Sequence, residues 1–374
     1  MAIARHCIAL FLFLAALATS AGTLVVGQVA PLTGPIATTG QRLRDGVKLW
    51  FDSVNDKGGI NGSKVELVVR DDGYQVAGTV AATHELIEQD HAVALIGFAG
   101  TANIGELLKQ HVLADANIPL IAPYTGGTPL RDPFNPWIFH IRASYADEAE
   151  QMVRAVTFIG VTRVGVVYQD DAFGQSGLEG VRAALERRHL PPAISASYPR
   201  ASGDTAAAVS TMLREQPQAI LLVAVNKATA SFIKAYRAAG GAAQLVNISV
   251  VDPVELVRLA GAEAISGLGI TQVMPFPYRR ELPIVREYQS ALAKYGADQT
   301  PSYAALEGFI GAKVLTEGLR RAGHDPSRTQ VLHALESLHD YDVGGFWVNF
   351  DHDRRAGSRF VEMTVVQRDG TLLK

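Results

Sequence analysis

From Leu24 almost to the end of the chain, short runs of apolar, β-branched residues alternate with stretches whose apolar side chains recur every three or four positions. The runs predict strands over 24–29, 65–69, 92–96, 119–121, 163–168, 219–225, 245–251 and 267–273. Between them, Leu43, Val47, Trp50 and Val54 share one helical face, and Ile104, Leu107, Leu108 and Val112 share another. Near-continuous apolar strands separated by helices belong to parallel sheets covered on both faces, so the pattern predicts an α/β fold. One βα series ends near Pro123 and a second runs from about Ala146 to Val273. Helical spacing then returns at Leu306, Ile310 and Val314. No Pro/Gly/Ser-rich linker separates the series, which suggests two lobes that exchange chain segments.

Ligands of open parallel sheets sit beyond the carboxyl ends of the strands, in the turns that lead into helices. Four turns stand out: Pro31-Leu-Thr-Gly-Pro-Ile-Ala-Thr-Thr-Gly40, Gly97-Phe-Ala-Gly-Thr-Ala-Asn103, Ala122-Pro-Tyr-Thr-Gly-Gly127 and Tyr168-Gln-Asp-Asp-Ala-Phe-Gly174. In the second, Thr101 occupies an N-cap position. Free N–H groups at a helix start attract a carboxylate, and Gly97 and Gly100 let the backbone approach it. The residues alone leave this reading level with a plain helix cap. Tyr124, Thr125 and Gly126 add a ring, a hydroxyl and a flexible backbone nearby. Asp170 and Asp171 read as a solvated cap, because the spacing of a calcium loop is absent.

The first residues change the picture of where the protein works. Arg5 precedes an unbroken apolar run over 8–18, followed by small residues at 18–21. This is the pattern of a secretory signal peptide over 1–21, cleaved after Ser20 or Ala21. The run is too short to span a bilayer, which takes about 20 apolar residues. Cys7, the one cysteine, would be lost with it, leaving no disulfide and no cysteine metal site. Over the full chain the formal charge is −3; without Arg5, 33 basic residues face 37 acidic ones. The charges are scattered, which argues against nucleic acid as a partner.

Motifs for chemistry are missing. There is no Gly-x-Ser-x-Gly elbow, no His-Glu-x-x-His pair and no Walker loop, and the ten histidines show no ligand spacing. Triads assemble in space, so this lowers the case for an exported α/β enzyme without excluding it; no catalytic residue, metal or cofactor is assigned.

A set of ordered stretches carries a family resemblance: Ala30-Pro-Leu-Thr-Gly-Pro35, Val54-Asn-Asp-Lys-Gly-Gly-Ile-Asn-Gly62, Arg70-Asp-Asp72, Ile118-Pro-Leu-Ile-Ala-Pro123, Phe173-Gly174, Tyr303-Ala-Ala-Leu-Glu-Gly308 and Arg321-Ala-Gly323. The chain resembles the extracytoplasmic solute-binding proteins of ABC transporters, in the branched-chain amino-acid (Leu/Ile/Val) receptor family. The resemblance implies a type I periplasmic-binding fold, with two doubly wound lobes, three crossing segments and a ligand cleft between the lobes. By position the crossings fall near 139–143, 271–275 and 341–346. Lobe one would be 22–141 with 275–342, and lobe two 142–274 with 343–374. It implies a soluble periplasmic monomer that closes by hinge motion on a small carboxylate, an amino acid or an aromatic or short-chain acid. The ligand would pass to a membrane permease; the alternative is a free-standing sensor that presents it to a chemoreceptor or signalling protein.

The family's clamp carries over only in part. Its carboxylate-gripping turn matches Gly100, Thr101 and Ala102, and its second part falls on Tyr124, Thr125 and Gly126. Thr39 stands at the first-loop aromatic position, Phe173 keeps the aromatic before glycine, and Asn226 replaces another ring. The acid that grips the ligand ammonium falls near Val250 and Val251, neither of them charged. Asp252 is the nearest candidate substitute. A buried ammonium without an acidic partner costs several kcal/mol, so the departure favours a carboxylate ligand that is not a standard α-amino acid.

Overall fold

The computed structural model describes residues 22–297 and 299–374; the expected signal segment, with Cys7, lies outside them. Five parallel strands form the first sheet: β1 (Thr23–Ala30), β2 (Lys64–Asp71), β3 (Ala94–Ile96), β4 (Leu120–Ile121) and β5 (Ile138–Phe139), in the order β2-β1-β3-β4-β5. Five more begin the second: β6 (Val164–Gln169), β7 (Ile194–Tyr198), β8 (Ala219–Val223), β9 (Gln244–Asn247) and β10 (Gly269–Gln272), in the order β7-β6-β8-β9-β10. Each sheet thus repeats one winding: the chain goes outward once, returns, and then adds strands on the other side. A small ribbon of β11 (Tyr341–Asp342) and β12 (Trp347–Val348) follows. β13 (Glu362–Val366) then joins the second sheet antiparallel to β10, and β14 (Leu372–Leu373) completes it.

The continuous apolar runs follow from burial on both faces. Leu95, Leu120 and Ile138 turn to one side of the first sheet, where Leu86, Ile104 and Leu107 cover them. Their neighbours Ile96, Ile121 and Phe139 turn to the other side, against Val47, Phe309 and Ile310. On that side helix Ala37–Asn55 lies directly on helix Tyr303–Ala322. A Cβ added at Gly46 would sit 1.8 Å from the Ala305 carbonyl oxygen, and one at Gly308 would sit 2.3 Å from that of Leu43. These two glycines set how closely the helices cross.

Six strands escape the apolar pattern, β5, β7 and β11 to β14. β7 (Ile-Ser-Ala-Ser-Tyr) is bonded on one side only and exposes alternate residues, so polar positions interrupt it. β5 is two residues long, and β13 starts at Glu362 and keeps alternate residues only partly covered. The third crossing also differs from its expected place at 341–346. Val343, Phe346, Val348 and Phe350 pack in the core beneath the first sheet, with Phe350 edge-on to Phe139 at 5.1 Å. Residues 343–350, given to lobe two by position, therefore pack with the first sheet. The chain reaches the second sheet only at Glu362, after His140 and Ala356 have bridged the first and third crossings.

Gly46→Ala is expected to lower stability by about 3 kcal/mol, because a backbone carbonyl and not a flexible side chain blocks the new methyl. Gly105→Ala, in helix Thr101–Lys109 with nothing within 4 Å, is expected to gain about 0.5–1 kcal/mol. Denaturant melting of both variants checks the contrast.

Candidate functional site

The two sheets present the carboxyl ends of their strands to each other, and nearly every βα turn sends a side chain into the space between. Ile36 and Thr39 follow β1, Tyr74 follows β2, and Ala99, Gly100 and Thr101 follow β3. Tyr124 and Tyr145 follow β4 and β5. From the second sheet come Phe173 after β6, Val225 after β8 and Val250 after β9. The switch points of both sheets, β1/β3 and β6/β8, meet here, the location expected of a ligand crevice. Rings, aliphatic groups and hydroxyls make up the wall, and no described residue that lines it carries a charge. The centre of a water-sized sphere can move over about 20 Å³ of this space, enough for one or two waters.

Thr39, Gly100, Thr101, Tyr124 and Phe173 thus come together as the sequence suggested. Thr101, however, is not a cap. It is the first residue of helix Thr101–Lys109, and Gly100 holds the cap position at φ 101°, where a side chain would be strained. The Thr101 hydroxyl bonds the Thr125 hydroxyl at 2.7 Å, and Thr125 Oγ1 also accepts from Gly127 N at 3.1 Å. Thr125 therefore stands one bond behind the wall. Gly126 lets its loop lie against Tyr145, whose N and Cδ1 a Cβ would meet at 2.7 Å. Ala102 is not in the lining.

Asn226 bridges towards Thr39 at 3.5 Å and accepts from Asp252 N at 2.7 Å, so it lies beside the cavity. Asp252 itself caps helix Pro253–Ala260, accepting from Val254 N and Glu255 N. Burial raises its carboxyl pKa. Val250, one of the two residues near which the resemblance put the ammonium-gripping acid, lines the cavity with an apolar side chain. Asp171 caps helix Ala172–Glu186 and pairs with Arg200 at 3.0 Å.

Beneath the cavity lies a charge cluster that the sequence did not disclose. Arg142 is wholly buried, with its guanidinium 4.5 Å from the centre of the Tyr124 ring. It reaches towards Glu148 at 3.9 Å and Glu307 at 3.7 Å, and donates to the Ser249 hydroxyl. Glu148 accepts from Ser249 N at 2.8 Å, Ser249 Oγ at 3.0 Å and Thr271 Oγ1 at 2.5 Å. Glu307 Oε1 has no hydrogen-bond donor among the described residues. Burial outweighs the attraction of Arg142 and pushes the Glu307 carboxyl up to about 7, and Glu148 is raised by burial as well. The signal available in the sequence was Glu307 inside an otherwise apolar helical stretch, a residue type rarely buried alone.

Contacts across the cleft hold the lobes close. Arg200 covers the Tyr74 ring at 4.0 Å and donates to Tyr74 O and Asn103 Oδ1, both at 2.6 Å. Ser176 Oγ accepts from Thr128 N at 2.9 Å, and the Tyr124 hydroxyl lies 3.4 Å from Ser249 O.

The family described as periplasmic binding protein matches residues 23–371. The chain belongs to that family. Its members are solute-binding receptors and not enzymes. A crystal structure of a substrate-binding periplasmic protein from Ralstonia solanacearum is 43% identical to this periplasmic binding protein. That match covers 94% of this chain and 99% of the other, with a TM-score of 0.89. An amino acid binding protein of Pseudomonas aeruginosa is 24% identical over 92% of this chain and 90% of its own. A fatty acid ABC transporter substrate-binding protein from Thermomonospora curvata shares the fold at 22% identity and a TM-score of 0.83, over 94% of this chain and 91% of its own. No helix of the described residues is long and apolar enough to cross a membrane.

The raised Glu307 carboxyl has a consequence for stability. Between the ordinary value of 4.5 and about 7, the unfolded chain has released a proton that the folded protein keeps. Stability therefore declines as pH rises through that window and levels off above it. Glu307→Gln removes the window. From pH 4.5 to 8 the stability difference should move in the variant's favour by on the order of 3 kcal/mol. Urea melting across pH tests this, and a difference independent of pH contradicts it.

Proposed function

We propose that this periplasmic binding protein captures a small carboxylate without an α-ammonium, closes on it by hinge motion and delivers it to the permease of an ABC-type uptake transporter. The observation that carries the reading is the wall of the interlobe cavity. It offers hydroxyls, rings and a helix start without a charged side chain among the described residues. A carboxylate suits the Gly100–Thr101 end: if Thr125 gives its proton to Thr101 Oγ1, the Thr101 proton is left for an acceptor in the cavity. An ammonium finds no acid there, since Asp252 and Asp171 are engaged as caps, and burying it would cost several kcal/mol. The rings of Tyr74, Tyr124, Tyr145 and Phe173 suit an aromatic or short aliphatic body. The names of relatives point both ways, one to an amino acid and one to a fatty acid, and the uncharged lining supports the acid. Hinge closure is supported by the small space left inside and by the Arg200 and Ser176 contacts that span the cleft.

A thermal-shift screen of amino acids against aromatic and short-chain acids identifies the ligand, and two measurements then test the reading. Thr101→Val keeps the shape and removes the hydroxyl, and should weaken binding about tenfold or more by calorimetry. Because the variant also strands the buried Thr125 hydroxyl, the free protein should lose about 1–3 kcal/mol of stability, a loss that denaturant melting separates from the loss of affinity. Unaltered affinity would place the carboxylate elsewhere. Small-angle scattering should show a smaller radius of gyration on saturation, and an unchanged profile would contradict closure.

A further inference from the structure

Ile36 and Val225 line both the interlobe cavity and a second, outer pocket of the cleft. There a water-sized sphere has about 510 Å³ to move in, against about 20 Å³ inside. The first lobe contributes only the 34–38 turn, which carries no charge. The second lobe contributes Arg200, Lys227 and Arg258 against a single carboxylate, Glu255. Two of these cations are already held: Arg200 by Asp171 at 3.0 Å and Arg258 by Glu255 at 2.6 Å. Lys227 is exposed and takes part in no ion pair among the described residues.

The magnitudes decide how a ligand can lie. The inner space as it stands takes only the carboxylate end of a six-carbon acid, so the body of such an acid reaches past Ile36 and Val225 into the outer space, which falls within the usual range for ligand pockets, about 300–1,000 Å³. We infer that the ligand is an elongated acid with two anionic ends, its first carboxylate at Thr101, its body passing between Ile36 and Val225, and its second anionic group at Lys227. This rests on the carboxylate reading above and extends it to a substrate class. The inner wall rejects charge along the body, and the outer pocket supplies a cation for the far end.

Matched pairs test it: hexanoate against adipate, octanoate against suberate, and phenylacetate against 1,4-phenylenediacetate, each titrated by calorimetry into the wild type and Lys227→Gln. At one length or more the diacid should bind the wild type about tenfold more tightly than its partner. Lys227→Gln should remove most of that gain and leave the monoacid within twofold. Raising ionic strength from 0.05 to 0.5 M should erode the gain in the wild type, because the contact is partly exposed. Monoacids that bind well with no gain for any diacid overturn the inference while leaving the carboxylate reading in place. A gain that survives Lys227→Gln also overturns it, by placing the second group elsewhere. Failure of every acid to bind, with an amino acid binding instead, overturns both.

Discussion

Arg142 is a guanidinium with no exposed surface, placed where the chain first passes between the lobes. A charge there is tolerated only beside compensating partners. Arg142 has one hydrogen bond, to Ser249, while its Nε and Nη1 have no hydrogen-bond partner among the described residues. Two carboxylates lie nearby. Glu307 supplies one from the long helix under the first sheet. Glu148 supplies the other from the first helix of the second lobe, with Ser249 as the relay. Of the two carboxylates Glu307 is the less satisfied: its Oε1, 3.7 Å from Arg142 Nη1, lacks a hydrogen-bond donor among the described residues. The second lobe's helix, the 249 turn and the first crossing are thereby registered against one atom group. Tyr124 lies on the same guanidinium and forms the wall above it.

The cavity can be free of charge because the charge lies beneath it. Its rings meet backed surfaces, Tyr124 on Arg142 and Tyr74 on Arg200, and Tyr145 meets Phe173 edge-on at 5.3 Å. A few directional contacts at the rim join the two lobes. Arg200 makes two of them, gripping Asn103 and the Tyr74 carbonyl from the opposite lobe. Selectivity of this kind comes from what the wall refuses. A site with hydroxyls and aromatic faces but no acid discriminates against an ammonium through desolvation alone.

Much of the architecture was legible because central parallel strands are buried on both faces. Leu95 and Ile96 serve opposite cores, so the run stays apolar through every position. Edge strands break that rule, as Ser195 and Ser197 do in β7, and so did not stand out. The turns after β1, β3, β4 and β6 were legible from glycine and hydroxyl content. Thr101 was displaced by one position, because Gly100 can cap a helix without a side-chain signature. Tyr74 and Tyr145 were not legible: each follows a strand whose turn has ordinary composition, and only the facing of the two sheets brings them together. The Arg142 cluster joins residues 142, 148, 249 and 307, a pairing that no local spacing encodes.

The central claim is that the cavity takes a carboxylate but offers nothing to an adjacent ammonium. Leucine and 4-methylpentanoate share a carbon skeleton and differ only by that ammonium, which makes them a direct comparison. Titrated into the protein by calorimetry at neutral pH, 4-methylpentanoate should bind at least tenfold more tightly than leucine, the equivalent of about 1.4 kcal/mol. Leucine binding as tightly as its deaminated analogue, or more so, would contradict the account.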